Sequence, residues 1–421
     1  MNSSIAYTAL SNYSDTMKSK QVIELPFLHD NHSHASLYAV LASIPDISHL
    51  TRKQSMDFIM SLPADELTVI RGWRTAELSF TNQERSILPP VLLINYSLHG
   101  FFLSDKAIPI IEAQLPDVAE HADDARWQEI HVPEIFATYC AFGTASANDF
   151  KTLLATLEEQ GIGSTVDMAI CTPGLADIVA FSGLSDRIEF WASPDVYKAM
   201  QLQTKNLCMG IKLFLDGSIG AMSAAISDTW PNGTNGILTY TDNELEALLW
   251  ELSTFNTGIA VHAIGERAIE QFLTCVKKMI LQGHSFPYIQ MEHVQFITEE
   301  QMEQCRDLGI TLSMQPNFNE DSVIYADRLS EYHRRHNNPF RTLIDTFGFK
   351  PGKDLLFGSD GIPHSIAFAL QCSLFPPYPE QELSLEEFVA GYGKAKFAHT
   401  TLCKYEIDRN ANRVTMLPIH H

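Results

Sequence analysis

Two histidines two positions apart close an apolar stretch near the start of the chain, where Leu25-Pro26-Phe27-Leu28 runs into His29-Asp30-Asn31-His32-Ser33-His34. In an extended strand, residues i and i+2 point to the same face. His32 and His34, at the end of a buried strand, would offer two ring nitrogens in one direction, which is how a chain presents two ligands to one metal ion. Two unrelated surface histidines in a polar turn would share this local sequence. Other polar residues sit at or near the ends of later apolar stretches: Lys212, His262, His293 and Asp360. Singly, each has an ordinary reading. A histidine closing a strand is a hydrogen-bonded structural residue, Lys212 an ion-pair partner, and Asp360 in Gly358-Ser359-Asp360-Gly361 a turn cap. Jointly, four histidines and a carboxylate can hold one or two divalent ions of the zinc type with a position open for water. Such an ion brings the pKa of its water near neutrality, and a neighbouring carboxylate can take the proton and pass it to a leaving amine.

The elements that must position these residues follow a regular rhythm. Strand-like stretches are expected at 22–28, 67–73, 90–96, 164–170, 187–191, 209–217, 258–262, 288–293, 310–316 and 354–360. Residues 35–62 read as mainly helical, and 105–150 as helices and loops. Thr241 with Glu244, Thr298 with Gln301 and Ser384 with Glu387 have the spacing of capping boxes that open helices, and Gly161 and Gly309 suit helix ends. Strands alternating with helices imply a parallel sheet. Counting from the His32 strand, with 35–145 set aside as an insertion, gives eight βα units. The expected fold is therefore an α/β, (β/α)8 TIM-type barrel with its site at the C-terminal strand ends. An open doubly wound sheet competes, but no Gly-rich phosphate loop follows a strand. Lys212 is expected to point into the barrel, with Ile211 and Leu213 facing the helices.

The bulk numbers narrow the function classes. With 421 residues and 45% apolar content, a full core is available. The formal charge of −22 argues against nucleic-acid or anionic-membrane partners, which need basic surface. No signal peptide or membrane span is legible. Seven scattered cysteines without a Cys-x-x-Cys pair read as reduced, mostly buried thiols of a cytoplasmic protein.

The order of these motifs resembles the amidohydrolase superfamily, and more closely its amidohydrolase-3 branch, which includes N-substituted formamide deformylases. The resemblance covers about 25–400. Residues 25–34 are similar to the branch's first-strand motif, and Gly72-Trp73 and Leu98-His99-Gly100, with Ser104 and Ala107 downstream, to its insertion motifs. Lys212-Leu213-Phe214-Leu215-Asp216-Gly217-Ser218-Ile219-Gly220 is similar to its fourth-strand motif, the most specific of the set. Residues 261–268, with Glu266 where Asp is usual, resemble the fifth, 291–295 the sixth, Met314-Gln315-Pro316 the seventh and Gly358-Ser359-Asp360 the eighth.

The resemblance implies a metal-dependent hydrolase that cleaves a non-peptide, amide-type C–N bond of a small molecule, using zinc or a similar ion, one or two per chain. It implies that His32 and His34 bind the more buried ion, that Lys212, carboxylated on its amine, bridges two ions, and that His262 and His293 hold the second. Asp360 would bind metal and act as the base, making Asp360 and Lys212 the catalytic pair. Asp30 is a candidate for orienting a ligand imidazole. His99, Trp73 and Gln315 are candidates for substrate contact, with core packing the alternative for Trp73. Asp216 and Arg267 are candidates for support around the site, or equally a structural ion pair. The expected organisation is an N-terminal extension (1–24), a barrel (25–400, insertion about 35–145) and a C-terminal tail (401–421), with the family's β-sandwich domain reduced or absent. His29 stands where an apolar residue is usual. An exposed flank would then be covered by the insertion or by a second copy in a homo-oligomer. The alternatives are hydrolysis of a cyclic amide, ester or lactone, and, of another class, a catalytically silent relative that binds a ligand.

Overall fold

In chain order the strands are β1 (Lys20–Leu25), β2 (Leu28–Ser33), β3 (Thr68–Trp73), β4 (Val91–Asn95), β5 (Phe101–Leu103), β6 (Ile162–Ile170), β7 (Ile188–Ala192), β8 (Cys208–Phe214), β9 (Gly258–Ala263), β10 (Ile289–His293), β11 (Thr311–Met314), β12 (Leu355–Phe357), β13 (Cys403–Asp408) and β14 (Arg413–Met416). They come from a computed structural model that describes residues 20–74, 77–95, 98, 100–396 and 402–418. Eight strands form one parallel sheet in the order β2-β6-β7-β8-β9-β10-β11-β12. The sheet curls until its ends meet. The amides of Ser359 and Asp360, just past β12, donate to His32 O on β2 at 3.2 and 2.7 Å. This is the expected (β/α)8 barrel.

Each strand turns one face to the helices and the other to the barrel interior, so both are buried. Ile211 and Leu213 of β8, Ile259 and Val261 of β9, Leu312 and Met314 of β11, and Leu355 and Phe357 of β12 join the helices in the main core. Val166, Met168, Trp191 and Ala260 pack separately as an apolar plug inside the barrel, with Met209 against them. Met209 and Lys212 both face inward although strict alternation would separate them. The register between β7 and β8 slips between the pairs Phe190–Cys208 and Ala192–Ile211. Gly210 permits the slip, because a Cβ there would lie 2.1 Å from Gly258 O. His29 occupies the N-terminal end of the barrel interior, with Nδ1 2.8 Å from Ser164 Oγ. The expected capping boxes at Thr241, Thr298 and Ser384 are formed.

One feature differs from the sequence expectation. The stretch 22–28 is not one strand. Pro26 has no amide hydrogen to continue a ladder, and the chain divides there: β1 leaves the barrel, and the barrel strand is the polar segment β2 itself. The C-terminal tail carries two strands. Buried Cys403, Tyr405 and Ile407 alternate with more exposed neighbours, and Asn412, at φ 48°, turns the chain back into β14. β1, β13 and β14 form a three-stranded antiparallel sheet, the reduced counterpart of a β-sandwich. The insertion carries a second small sheet, β3-β4-β5, with its own core of Ile47, Ile59, Ile70, Leu78, Leu88, Val91 and Leu93. Seven thiols are free and buried.

Candidate metal centre

The C-terminal ends of the barrel strands converge on a buried polar group. One ligand atom each from His32 (β2), His293 (β10) and Asp360 (after β12) lie within 4.8 Å of one another. His34, the residue before the helix Ala35–Ala42, reaches Asp360 Oδ1 at 3.2 Å through Nε2. His262 stands beside His293, ring centroids 4.5 Å apart. Lys212 is 1% exposed and lies with its Nζ 5.2 Å from the centre of the Phe214 ring. Among the described residues, no hydrogen bond or ion pair holds that amine.

Backbone geometry at two of these residues is unusual. His293 and Asp360 have φ of 68° and 56°, and Val294 follows His293 at 42°. Left-handed backbone at a non-glycine residue costs about 1–3 kcal/mol and persists only when its surroundings enforce it. Here Val294 N donates to Ala263 O at 3.1 Å, and the imidazole of His293 is tied through Nδ1 to Gln315 Oε1 at 2.8 Å. The turn also breaks strand alternation, so that the neighbours Glu292 and His293 both face the site.

The electrostatics separate the groups. Burial opposes the charge on Asp360, but His32 and His34 beside it hold its carboxyl well below the usual range. Burial, reinforced by His262 and His32, pushes His293 well below the usual imidazole range. His32 is itself buried, yet Asp360 and Glu292 carry it up to about 9. Burial pulls Lys212 down to about 8 against the attraction of Glu292 and Asp360. His32 Nε2 lies 3.4 Å from Asp360 Oδ1, near enough for charge attraction but off the line a hydrogen bond requires. It and His34 Nδ1 are buried without a hydrogen-bond partner among the described residues. An orphaned imidazole nitrogen, His32 Nε2, beside an anionic carboxylate fits a divalent ion of the zinc type.

Several expected roles change. Asp30 does not orient an imidazole. It accepts from Ser359 N at 2.8 Å, Ser359 Oγ at 2.5 Å and His32 N at 3.1 Å, and so locks β2 to the chain past β12. Gln315 holds His293 and lies behind it, fully buried, instead of facing a substrate. Asp216 and Arg267 are not an ion pair. Asp216 accepts the amides of Ala225, Ile264 and Gly265 at 2.8–3.0 Å and lies 3.3 Å from His262 Nε2, while Arg267 donates to Asn235 O at 3.0 Å. Three backbone donors satisfy that carboxylate, so the long guanidinium is free to pin the loop instead. His262 Nε2 is 3.0 Å from Gly217 O, which places its proton there and leaves Nδ1 as the lone-pair nitrogen. Trp73 lies in the insertion, its indole N–H donated to Leu78 O at 2.7 Å, on the wall of a cleft of about 630 Å³ between the insertion and the loop after β8. Phe102, Met222 and Ile237 also line this cleft. His99 lies outside the described residues.

Glu292 escaped the sequence reading. It is fully buried, and its Oε2 is 2.5 Å from His32 Nδ1. A carboxylate adjacent to a candidate ligand is the available signal, but strict strand alternation turns Glu292 away from the face that His293 occupies.

Residues 90–367 match the Amidohydrolase family. Lys212, His262, His293 and Asp360 fall within the match, and the His32–His34 motif precedes it. A segment of 137 residues, 32% of this chain, is 28% identical to YtcJ of Bacillus subtilis (strain 168), whose name assigns it provisionally to the amidohydrolases. The segment spans about a quarter of that relative's length (26%). Among solved structures, the chain is similar to an uncharacterized metal-dependent hydrolase from Pyrococcus furiosus, with TM-score 0.62 and 19% identity over 89% of this chain and 81% of that one. A second, from Pyrococcus horikoshii OT3, gives 0.63 and 19% over 89% and 80%. These two likenesses establish the barrel fold.

Proposed function

Because the chain belongs to the amidohydrolase family, we propose that it is a metal-dependent hydrolase cleaving a non-peptide, amide-type C–N bond of a small molecule, with an N-substituted formamide or related amide as the substrate class. The observation that carries this reading is the convergence of His32, His293 and Asp360, with the buried Nε2 of His32 left unbonded. A bound divalent ion, zinc in this reading, supplies Lewis acidity that acidifies water and polarises a carbonyl. His32, His34, His262 and His293 are the nitrogen ligands. Asp360, held anionic by two imidazoles, is the group that accepts the proton of the attacking water and returns it to the departing amine. Lys212, brought down to about 8, has an appreciable neutral fraction near neutral pH. A neutral amine forms an N–C bond to carbon dioxide and releases a proton to solvent, leaving a carbamate; as that anion, Lys212 would be a further ligand and would allow a second ion to be held.

The cleft walled by Trp73, Phe102 and Met222 has the volume of a small-molecule site. It borders the loop after β8, which also supplies the Gly217 carbonyl to His262. The acidic balance, and the lack among the described residues of any helix long and apolar enough to cross a membrane, support a small-molecule partner over nucleic acid or a membrane. A cytoplasmic setting, in line with the free thiols, and a homo-oligomer belong to the same reading.

The test is metal analysis of protein purified without chelator or added metal, joined to a screen of N-substituted formamides, other linear and cyclic amides, esters and lactones. We expect bound divalent metal and amide hydrolysis that chelation abolishes and metal restores. Activity confined to esters or lactones would overturn the C–N assignment. Metal-loaded protein inactive on every class would favour the silent binding protein.

A further inference from the structure

The inward face of β10 carries a hydrogen-bonded column that none of the ligand roles above uses. Tyr288, just before the strand, donates its hydroxyl to Gln290 Oε1 at 2.7 Å. Gln290 Nε2 donates to Glu292 Oε1 at 2.5 Å. Glu292 Oε2 meets His32 Nδ1 of β2, with β11 and β12 lying between the two strands. The three side chains are two residues apart and so share one face of the chain. Gln290 and Glu292 are 2% and 0% exposed.

The chemistry of each member sets the direction of the next. Because the phenol donates, Gln290 uses its carbonyl oxygen there and turns its NH2 to Glu292. An ionised carboxylate only accepts, so the proton between Glu292 and His32 belongs to His32 Nδ1. When the ring gives up its second proton to bind a cation, the lone pair is then on Nε2. That is the nitrogen left without a hydrogen-bond partner among the described residues, on the side of Asp360.

We propose that Glu292, held by Gln290 and Tyr288, is a positioning residue that fixes the tautomer and ring plane of His32 so that Nε2 faces the metal ion. The proposal rests on the metal-site reading above. Carboxylates behind ligand imidazoles raise ligand basicity and typically govern metal affinity by about 10–100-fold.

Full-length wild type, Glu292→Gln, Glu292→Asp and His32→Ala are stripped of metal and titrated with Zn²⁺ against a chromophoric chelator. Glu292→Gln should weaken affinity by about 10–100-fold, because its amide N–H would donate to His32 Nδ1 and drive the ring proton to Nε2. Glu292→Asp, shorter but still an anionic acceptor, should lose less. A packing role predicts the reverse order, since Gln keeps the shape of Glu. Wild-type affinity in Glu292→Gln, or a greater loss in Glu292→Asp, overturns the proposal. Nitrogen-15 spectra of histidine-labelled, zinc-loaded wild type, with the His32 signals identified by their loss in His32→Ala, decide the matter even if Glu292→Gln does not fold. A proton on Nδ1 supports the assignment, and one on Nε2 overturns it. The controls separate the two readings. If wild type binds no Zn²⁺, or His32→Ala binds it equally well, the metal site fails and this proposal with it. If both controls behave and only Glu292→Gln is unaffected, the positioning role alone fails.

Discussion

Replacing Gly358 by alanine should disable the centre without altering any proposed ligand. Gly358 lies where β12 comes back against β2, and a Cβ there would stand 2.3 Å from His32 N, 2.5 Å from His32 Cβ and 2.8 Å from His32 Cα. None of these atoms is the loose end of a flexible side chain. Ordinary contact requires β2 to retreat by about 1 Å at His32. The same movement would stretch the hydrogen bonds that Ser359 N and Asp360 N make to His32 O and the bonds of Asp30 to Ser359. Overpacking of this kind costs about 1–3 kcal/mol of stability. A displacement of about 1 Å at a reacting centre lowers turnover by about a hundredfold. Unfolding by urea, zinc stoichiometry and turnover, measured on one preparation, report the three effects. Gly174→Ala is the control: its Cβ would meet only Thr172 Oγ1, at 3.9 Å, and the variant should behave as wild type. A Gly358→Ala protein with full metal and turnover within a few-fold of wild type would refute the view that close approach of β12 sets the position of His32.

Asp360→Asn retains the shape of the side chain and tolerates the left-handed backbone at 56°, but it is a poor proton acceptor. Turnover should fall by at least about a hundredfold with metal still bound, and near-normal turnover would place the base elsewhere. Lys212→Ala should lose most activity and recover part of it when a short carboxylic acid is added to stand in for the carbamate. Metal-depleted wild type should regain activity faster when bicarbonate accompanies the metal, and density showing a bare amine beside one fully occupied ion would remove the two-ion version.

Much of this protein is legible in its sequence because the relevant signals are local. Parallel barrel strands are buried on both faces, so they read as apolar runs, and each run ends where the chain emerges into the polar mouth. Lys212, His262, His293 and Asp360 stand out for that reason, and the capping boxes at Thr241, Thr298 and Ser384 need only three-residue spacing. Period alone also points Lys212 inward, though it is the slip at Gly210 that lets Met209 face inward as well. What the sequence could not decide depends on contacts between distant segments. Strand alternation allows only one of Glu292 and His293 to face the centre, and the left-handed turn that admits both is enforced by Ala263 at the end of β9 and Gln315 just past β11. Its neighbours in sequence assign Asp30 to a histidine, but folding carries Ser359, 329 residues away, to its carboxylate. β1 finds its partner β13 at the opposite end of the chain. Residue type and spacing determine which groups can bind an ion. Which ring nitrogen carries the proton, and which carboxylate holds it there, is determined by barrel closure, because hydrogen-bond direction is a property of pairs that only the tertiary fold brings within reach.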